Sequence, residues 1–356
     1  MDNSNSVGRR TVLRGTATLG IASIAGCFRS DASENGETEN ESVSSSDKTD
    51  SDQVNNDDGG ASKNGGEDEW FENGAVTFIY DDGPNDDLEQ AFPAHETYDA
   101  PATVGIVSEW MRGNDERWMN ADEVTRLADA GWEIASHTAT HVAVTSFNLV
   151  EDVSPGDDRI YPEGRGQHGF LLGDPIEVTD GEKLVQRTVV ESDDDDIGRY
   201  LELDEPIDTS FTAEETVERY TEPFVRSQLA DSKKALAEFS PTTFLAPHDV
   251  IDDRHLDIVR EYYEGVLNVN PGTPVNDIPF DPFDTNRAYF AEHVDRDQVY
   301  ADLTQIAEEN VYGVLGAHTH REEVTQDRIA ETLEWCDELG IEVITFEDAI
   351  SRKAAY

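Results

Sequence analysis

From residue 74 onward the chain alternates short β-branched and aliphatic runs with longer stretches whose apolar residues recur at steps of three and four. The runs predict strands at residues 75 to 80, 102 to 107, 133 to 136, 243 to 246, 265 to 269, 312 to 316 and 341 to 346. The periodic stretches predict helices over residues 122 to 130, 214 to 239, 254 to 263, 296 to 308 and 326 to 338, the second of them opened by Thr212 and Glu215 as a capping box. Strands alternating with helices build a parallel sheet wrapped by those helices, and about seven strands predict an α/β fold, a distorted (β/α) barrel.

One block breaks the alternation. Residues 150 to 210 carry Pro155, Gly156, Gly164, Gly166, Gly173 and Gly181 between alternating stretches such as Ile176-Glu177-Val178 and Leu201-Glu202-Leu203, which predicts a small β insertion of hairpins. It leaves the barrel after His141, so it either walls one side of a cleft or decorates the surface. Asp193 to Asp196 lack the spacing and closing Glu of a calcium loop and read as a solvated turn.

The candidate chemistry collects at the ends of the predicted strands. Asp81 and Asp82 follow the apolar run Val76 to Tyr80 and precede Gly83-Pro84. Neighbouring side chains at a strand end diverge, so one carboxylate can ligate a cation while the other faces a bound water; the same four residues would also serve as a plain turn. His137 and His141, in Ser-His-Thr-Ala-Thr-His, form an i, i+4 imidazole pair. With Asp82 they make a two-His-one-carboxylate set that fills three positions around a divalent metal and leaves others open. Pro247-His248 ends a further strand and His318 another, so every candidate falls on the carboxyl side, where barrel enzymes keep their active sites.

Charge narrows the partners. With 78 Asp plus Glu against 26 Lys plus Arg the formal charge is −52, and no basic stripe offers itself to a phosphate backbone, which excludes nucleic acid. An acidic surface with six lysines reads as adaptation to high salt, where screening mutes self-repulsion. Residues 1 to 27 read as an export leader: Arg9-Arg10 with Leu13 resembles a twin-arginine signal, and its apolar run is too short to span a bilayer. Ile24-Ala25-Gly26-Cys27 resembles a lipobox, which makes Cys27 a lipid anchor on the outer face of the cell membrane; a plain secretory leader cut near Ala25 is the alternative. Residues 28 to 70 are acidic and polar, a disordered linker that serves as a tether. The folded domain is thus expected over 71 to 356, without an internal disulfide and with Cys336 as a small core residue.

The run Thr77 to Pro84 and the run Ser136 to His141 together resemble the polysaccharide deacetylases, the NodB-like carbohydrate esterases of family 4. The resemblance covers roughly residues 74 to 147 and 212 to 350. It implies a distorted (β/α) barrel, a divalent metal that is usually zinc, Asp82, His137 and His141 as its ligands, Asp81 as general base, and an N-acetylated polysaccharide as substrate. It also implies His318 as the acid that protonates the leaving nitrogen, with His320 as runner-up, and Pro247-His248 as the place where a backbone N–H meets the oxyanion. The chain departs from the pattern at Leu245, where the family keeps an Arg that holds the base, and at His248, where it keeps an aromatic. Asn268 and Asn270 occupy the neighbourhood of the family's Asp, so the base is expected to stand without its arginine–aspartate support. Two other functions compete: a metal hydrolase of a non-sugar amide or O-acetyl ester, and a non-catalytic carbohydrate-binding relative.

Overall fold

The computed structural model describes residues 71–113, 115–163 and 172–355; the leader with Cys27 and the linker lie outside the described residues. Eight strands pair side by side in the order Gly265–Val266, Thr243–Phe244, Glu133–Ser136, Thr103–Ile106, Ala75–Tyr80, Tyr312–Ala317, Asn286–Tyr289, Asn270–Pro271. Every neighbouring pair along this path is parallel. The two outermost strands belong to one stretch of chain, and the four steps from Val266 to Asn270 reach at most roughly 14 Å. Laid flat, eight strands would hold them roughly 34 Å apart. The sheet therefore curls round into an open barrel, as the sequence predicts.

The pleat of Ala75–Tyr80 (β1) explains how the site is aimed. Its alternate residues Val76, Phe78 and Tyr80 pack outward among residues of the helical layer, whereas Ala75 and Ile79 join the interior cluster with Leu245, Leu267 and Val314. With a period of two, the next inward position is Asp81, at the mouth of the barrel. Register does the rest: Tyr80 lies opposite Ala317, so Asp81 and His318 emerge side by side, and the Asp81 N–H donates to the Ala317 carbonyl at 3.1 Å.

Among the helices, Ala121–Asp129 opens on a capping box that the sequence reading missed: the Asn120 side chain accepts from the Asp122 and Glu123 N–H groups while Glu123 reaches back to the Asn120 N–H. Asn120→Ala is expected to cost about 1 kcal/mol, read as a lower urea midpoint at unchanged slope; an unmoved midpoint would deny the cap any weight. Cys336 is buried in the helix Gln326–Leu339, as expected of a core residue. No helix among the described residues is long and apolar enough to cross a membrane.

Three expectations need correction. The helix predicted over 214 to 239 begins only at Glu222: Ala213–Glu215 is a 3-10 turn, Val217–Tyr220 is a strand, and the Thr212 side chain caps nothing. Val217–Tyr220 pairs on both sides, with Ser146–Asn148 and Pro175–Thr179, and Pro223 sets the helix start by occupying its first turn. The insertion is larger than hairpins over 150 to 210, being a six-stranded antiparallel sheet that runs from Ser146 to Tyr220. Finally, the strand predicted over 341 to 346 shrinks to Glu342–Val343, because a helix takes over at Phe346. The strand Asn286–Tyr289 was not predicted at all, and it supplies a central residue of the site.

Candidate active site

Two turns bring the proposed ligands together. After β1, Asp82 and Gly83 both adopt left-handed backbone, with φ of 77° and 71°, which swings Asp82 away from the direction of Asp81. After Glu133–Ser136, Thr138 and His141 are left-handed too, at 60° and 63°. His248 and Asp249 follow the same pattern. Such conformations cost non-glycine residues of order 1–3 kcal/mol each and gather where surrounding structure over-determines them. Among the described residues, five of the nine left-handed non-glycine residues sit in this one site.

Asp82 Oδ1 lies 3.0 Å from His141 Nε2 and 3.3 Å from His137 Nε2. Ligand atoms of a tetrahedral site with bonds of about 2.0–2.1 Å stand roughly 3.3 Å apart, so the trio has the spacing a small divalent ion requires. Asp82 Oδ1 is buried and, among the described residues, has no partner in hydrogen-bonding geometry, which is the signature of an atom reserved for something else. The His137 Nδ1–H donates to the Leu245 carbonyl at 2.8 Å, which fixes the tautomer and leaves Nε2 as the donor atom. Burial lowers the His141 pKa below its ordinary value; burial alone would raise Asp82, but hydrogen bonding and charge from the two imidazoles, when they carry protons, outweigh it and hold the carboxyl well below its usual range. The residues present fit a divalent metal.

Asp81 faces a different set of partners. Arg287, only 2% exposed, donates from Nη2 to Asp81 Oδ1 at 2.6 Å and from Nη1 to Asp249 Oδ1 at 2.5 Å. Asp249 accepts further from Tyr289 Oη at 2.5 Å and from Asn268 Nδ2 at 2.6 Å. The expectation that the base lacks an arginine–aspartate support is thus wrong: the guanidinium comes from Asn286–Tyr289 in place of position 245, the aspartate is Asp249, and Asn268 orients it. Leu245 is instead buried in the apolar barrel interior, in one cluster with Leu267 and Val314. Burial raises the Asp81 pKa, with Arg287 and then His318 pulling it back.

His318 Nε2 stands 3.5 Å from Asp81 Oδ2, and its Nδ1 and backbone N–H both meet Glu292 Oε1, at 2.9 and 2.8 Å. Burial opposes a charge on this ring, but Asp81 and the hydrogen bond to Glu292 outweigh it, and the pKa is pushed up to about 9. His320 is exposed and stacks edge-on against His318, at 5.6 Å between ring centres. Pro247 is buried at the start of the turn that carries His248, whose ring lies 4.5 Å from that of His141. A groove of about 490 Å³ opens beside this network, lined in part by Asp249, Arg287, Tyr289 and His293. The sequence reading missed Arg287, Asp249, Tyr289 and Glu292.

Compared with known proteins, residues 71–154 match the family model described as polysaccharide deacetylase, a stretch that holds both ligand turns. No curated protein matches the chain in sequence. Among solved structures it is similar to a family 4 acetyl xylan esterase from Clostridium thermocellum with a cobalt ion, at 12% identity, TM-score 0.40, over 78% of this chain and 90% of that one. It is also similar to a family 4 carbohydrate esterase from Streptomyces lividans with acetate, at 12% identity, TM-score 0.41, over 76% and 91%. A peptidoglycan deacetylase from Bacillus subtilis aligns at 10% identity, TM-score 0.41, over 80% and 93%.

Proposed function

We propose that this chain is a metal-dependent hydrolase that removes N-acetyl groups from a cell-surface or extracellular polysaccharide. The observation that carries the reading is the convergence of a buried carboxylate oxygen with two imidazole nitrogens, 3.0 and 3.3 Å away, beside a buried Asp81 that lies 3.5 Å from His318 Nε2. Asp82, His137 and His141 would hold the ion, which the resemblance to the polysaccharide deacetylases makes zinc and which this donor set can bind. When bound, it acidifies a water and polarises the acetyl carbonyl. Asp81, fixed by Arg287, takes the proton of the attacking water. His318, protonated and steadied by Glu292, gives a proton to the departing nitrogen. The backbone N–H of His248 is assigned to the developing oxyanion, a contact worth about 3 kcal/mol. The leader and acidic linker support an enzyme outside the cell, tethered through a lipidated Cys27 or, with a plain secretory leader, released.

The test is metal content and acetate release measured together on the full chain with N-acetylglucosamine oligomers. The parent is expected to carry close to one equivalent of zinc and to release acetate. His137→Ala is expected to lose the metal and to slow release about 10²–10³-fold or more, the scale of losing an electrophilic contact. A metal-loaded parent that releases no acetate from N-acetyl sugars would sink the reading.

The acid should also leave a mark in the pH profile. The folded pKa of His318, about 9, exceeds the ordinary value of about 6.5 for histidine, so the proton is held below that window and lost as pH rises through it. A cation bound nearby repels that proton. The rate is therefore expected to fall on an alkaline limb between about 6.5 and 9, and Glu292→Gln should move the limb to lower pH. A profile flat to pH 9, or one that Glu292→Gln leaves in place, would remove His318 from the role.

A further inference from the structure

Beside the metal ligands, and used by none of the chemistry above, lies a pair of stacked indoles. Trp110 and Trp118 pack at 4.2 Å between centroids with their planes 23° apart, and Trp110 lies 5.1 Å from the His141 ring. Both are partly buried, and between them Arg112, Gly113, Asp115, Glu116 and Arg117 are exposed while Met111 is buried. An apolar surface kept in water needs a reason, because tryptophan is among the most strongly buried side chains on average.

The backbone ties this pair to both ligand turns. The Ser108 and Glu109 N–H groups donate to the Thr138 and Ala139 carbonyls at 3.3 and 2.9 Å, which fastens the short helix Ser108–Met111, with Trp110, to the loop between His137 and His141. On the other side the Met119 N–H donates to the Gly83 carbonyl at 3.0 Å, the Asn85 N–H donates to the Arg117 carbonyl at 2.9 Å, and Trp118 bridges to Pro84, which fastens Trp118 to the turn that carries Asp82. The indoles are therefore set at a fixed offset from the trio Asp82, His137 and His141. Packing alone would not demand attachment to both turns.

We infer that Trp110 and Trp118 form a stacking platform for a pyranose ring of the substrate chain, next to the sugar whose acetyl group lies at the ligand trio. A pyranose presents the axial C–H bonds of one face, weakly positive, and the face of an indole is apolar and weakly negative, so the two meet without desolvating the equatorial hydroxyls. An acidic surface makes this mode fitting, since stacking needs no cation and the chain has few to offer. Arg117, an exposed side chain whose guanidinium lies 5.6 Å from the Trp118 ring centre, is paired with Asp115 in the free protein and is positioned to swing toward a sugar hydroxyl. The choice of an N-acetylglucosamine polymer as ligand rests on the deacetylase reading; the platform itself requires only pyranose rings.

The test is calorimetric titration of the full chain, stripped of metal with a chelator so that no turnover occurs, with the N-acetylglucosamine tetramer. Trp118→Ala is expected to weaken binding about tenfold or more, Trp118→Phe to keep most of it, and zinc affinity of Trp118→Ala to stay at the parent value. Trp110→Ala reports on the same surface but sits against His141, so Trp118 decides. Tetramer affinity unchanged in Trp118→Ala, or a parent that binds no tetramer, overturns the platform. Tetramer binding lost together with zinc affinity in Trp118→Ala also overturns it, because the indole would then only prop the ligand turn. Binding that behaves as expected in a protein that releases no acetate leaves the platform standing and removes the deacetylase reading alone.

Discussion

Replacing Arg287 by methionine is expected to destabilise the protein by about 3–5 kcal/mol, the cost of breaking a buried ion pair by removing one partner. The reason lies in what stays behind. Asp81 and Asp249 are both largely buried and share this single guanidinium, at 2.6 and 2.5 Å. Without it each carboxylate keeps only neutral hydrogen-bond partners or the more distant His318, and at least one of them must take up a proton on folding. The second effect is on rate: a base displaced or neutralised in this way should cut turnover about a hundredfold or more. Urea unfolding and acetate release of Arg287→Met beside Arg287→Lys check the two effects. Lysine supplies one point charge in place of a fork, so it should recover stability only in part. Wild-type stability in Arg287→Met would mean that the network carries no energy.

Asp81→Asn is expected to do the opposite to stability while doing more to catalysis. Burial raises the pKa of Asp81, and a carboxyl whose folded pKa lies above its unfolded value costs stability at neutral pH, where the unfolded state is the more readily ionised. Asparagine removes that cost and leaves Arg287 paired with Asp249. The thermal midpoint should therefore hold or rise, zinc content should hold, and acetate release should fall about 10²–10⁴-fold, the range typical of a lost general base. A coincident loss of zinc would assign Asp81 to the ligand set and take the role of base from it.

These two residues mark where the sequence was legible. Asp82, His137 and His141 could be read because both motifs lie in the turns that follow strands and the spacing is local: a turn of Asp-Asp-Gly-Pro and a pair of imidazoles four residues apart carry their geometry with them. The partners of Asp81 could not, because the guanidinium arrives from 206 residues away and the register that delivers it is set by strand pairing. Asn286-Arg287-Ala288-Tyr289 does not look like a buried strand, since its inward residue is a charge satisfied by other charges. The one available signal was the aromatic run Tyr289-Phe290 ahead of the helix that begins at Arg296. Val217–Tyr220 failed for a related reason: with Val225 and Leu229 it also fits helical spacing, and only pairing with two strands of the inserted sheet decides for the extended form. The curl of the sheet, by contrast, followed from the alternation of strands with helices together with the number of strands.

Gly316 gives this arrangement a history that can be read in other chains. A methyl group there would lie 2.0 Å from Arg287 Nε, so the strand leading to His318 forgoes a side chain to let the guanidinium through. Gly105 plays the matching part beneath Leu245, whose Cδ2 lies 2.5 Å from where its methyl would be. Each route by which an arginine can arrive therefore has its own doorway. Relatives that send the cation from position 245 are released from glycine at 316, and relatives with a side chain at 316 must carry the cation elsewhere, so the two columns should vary together across any lineage that moved it.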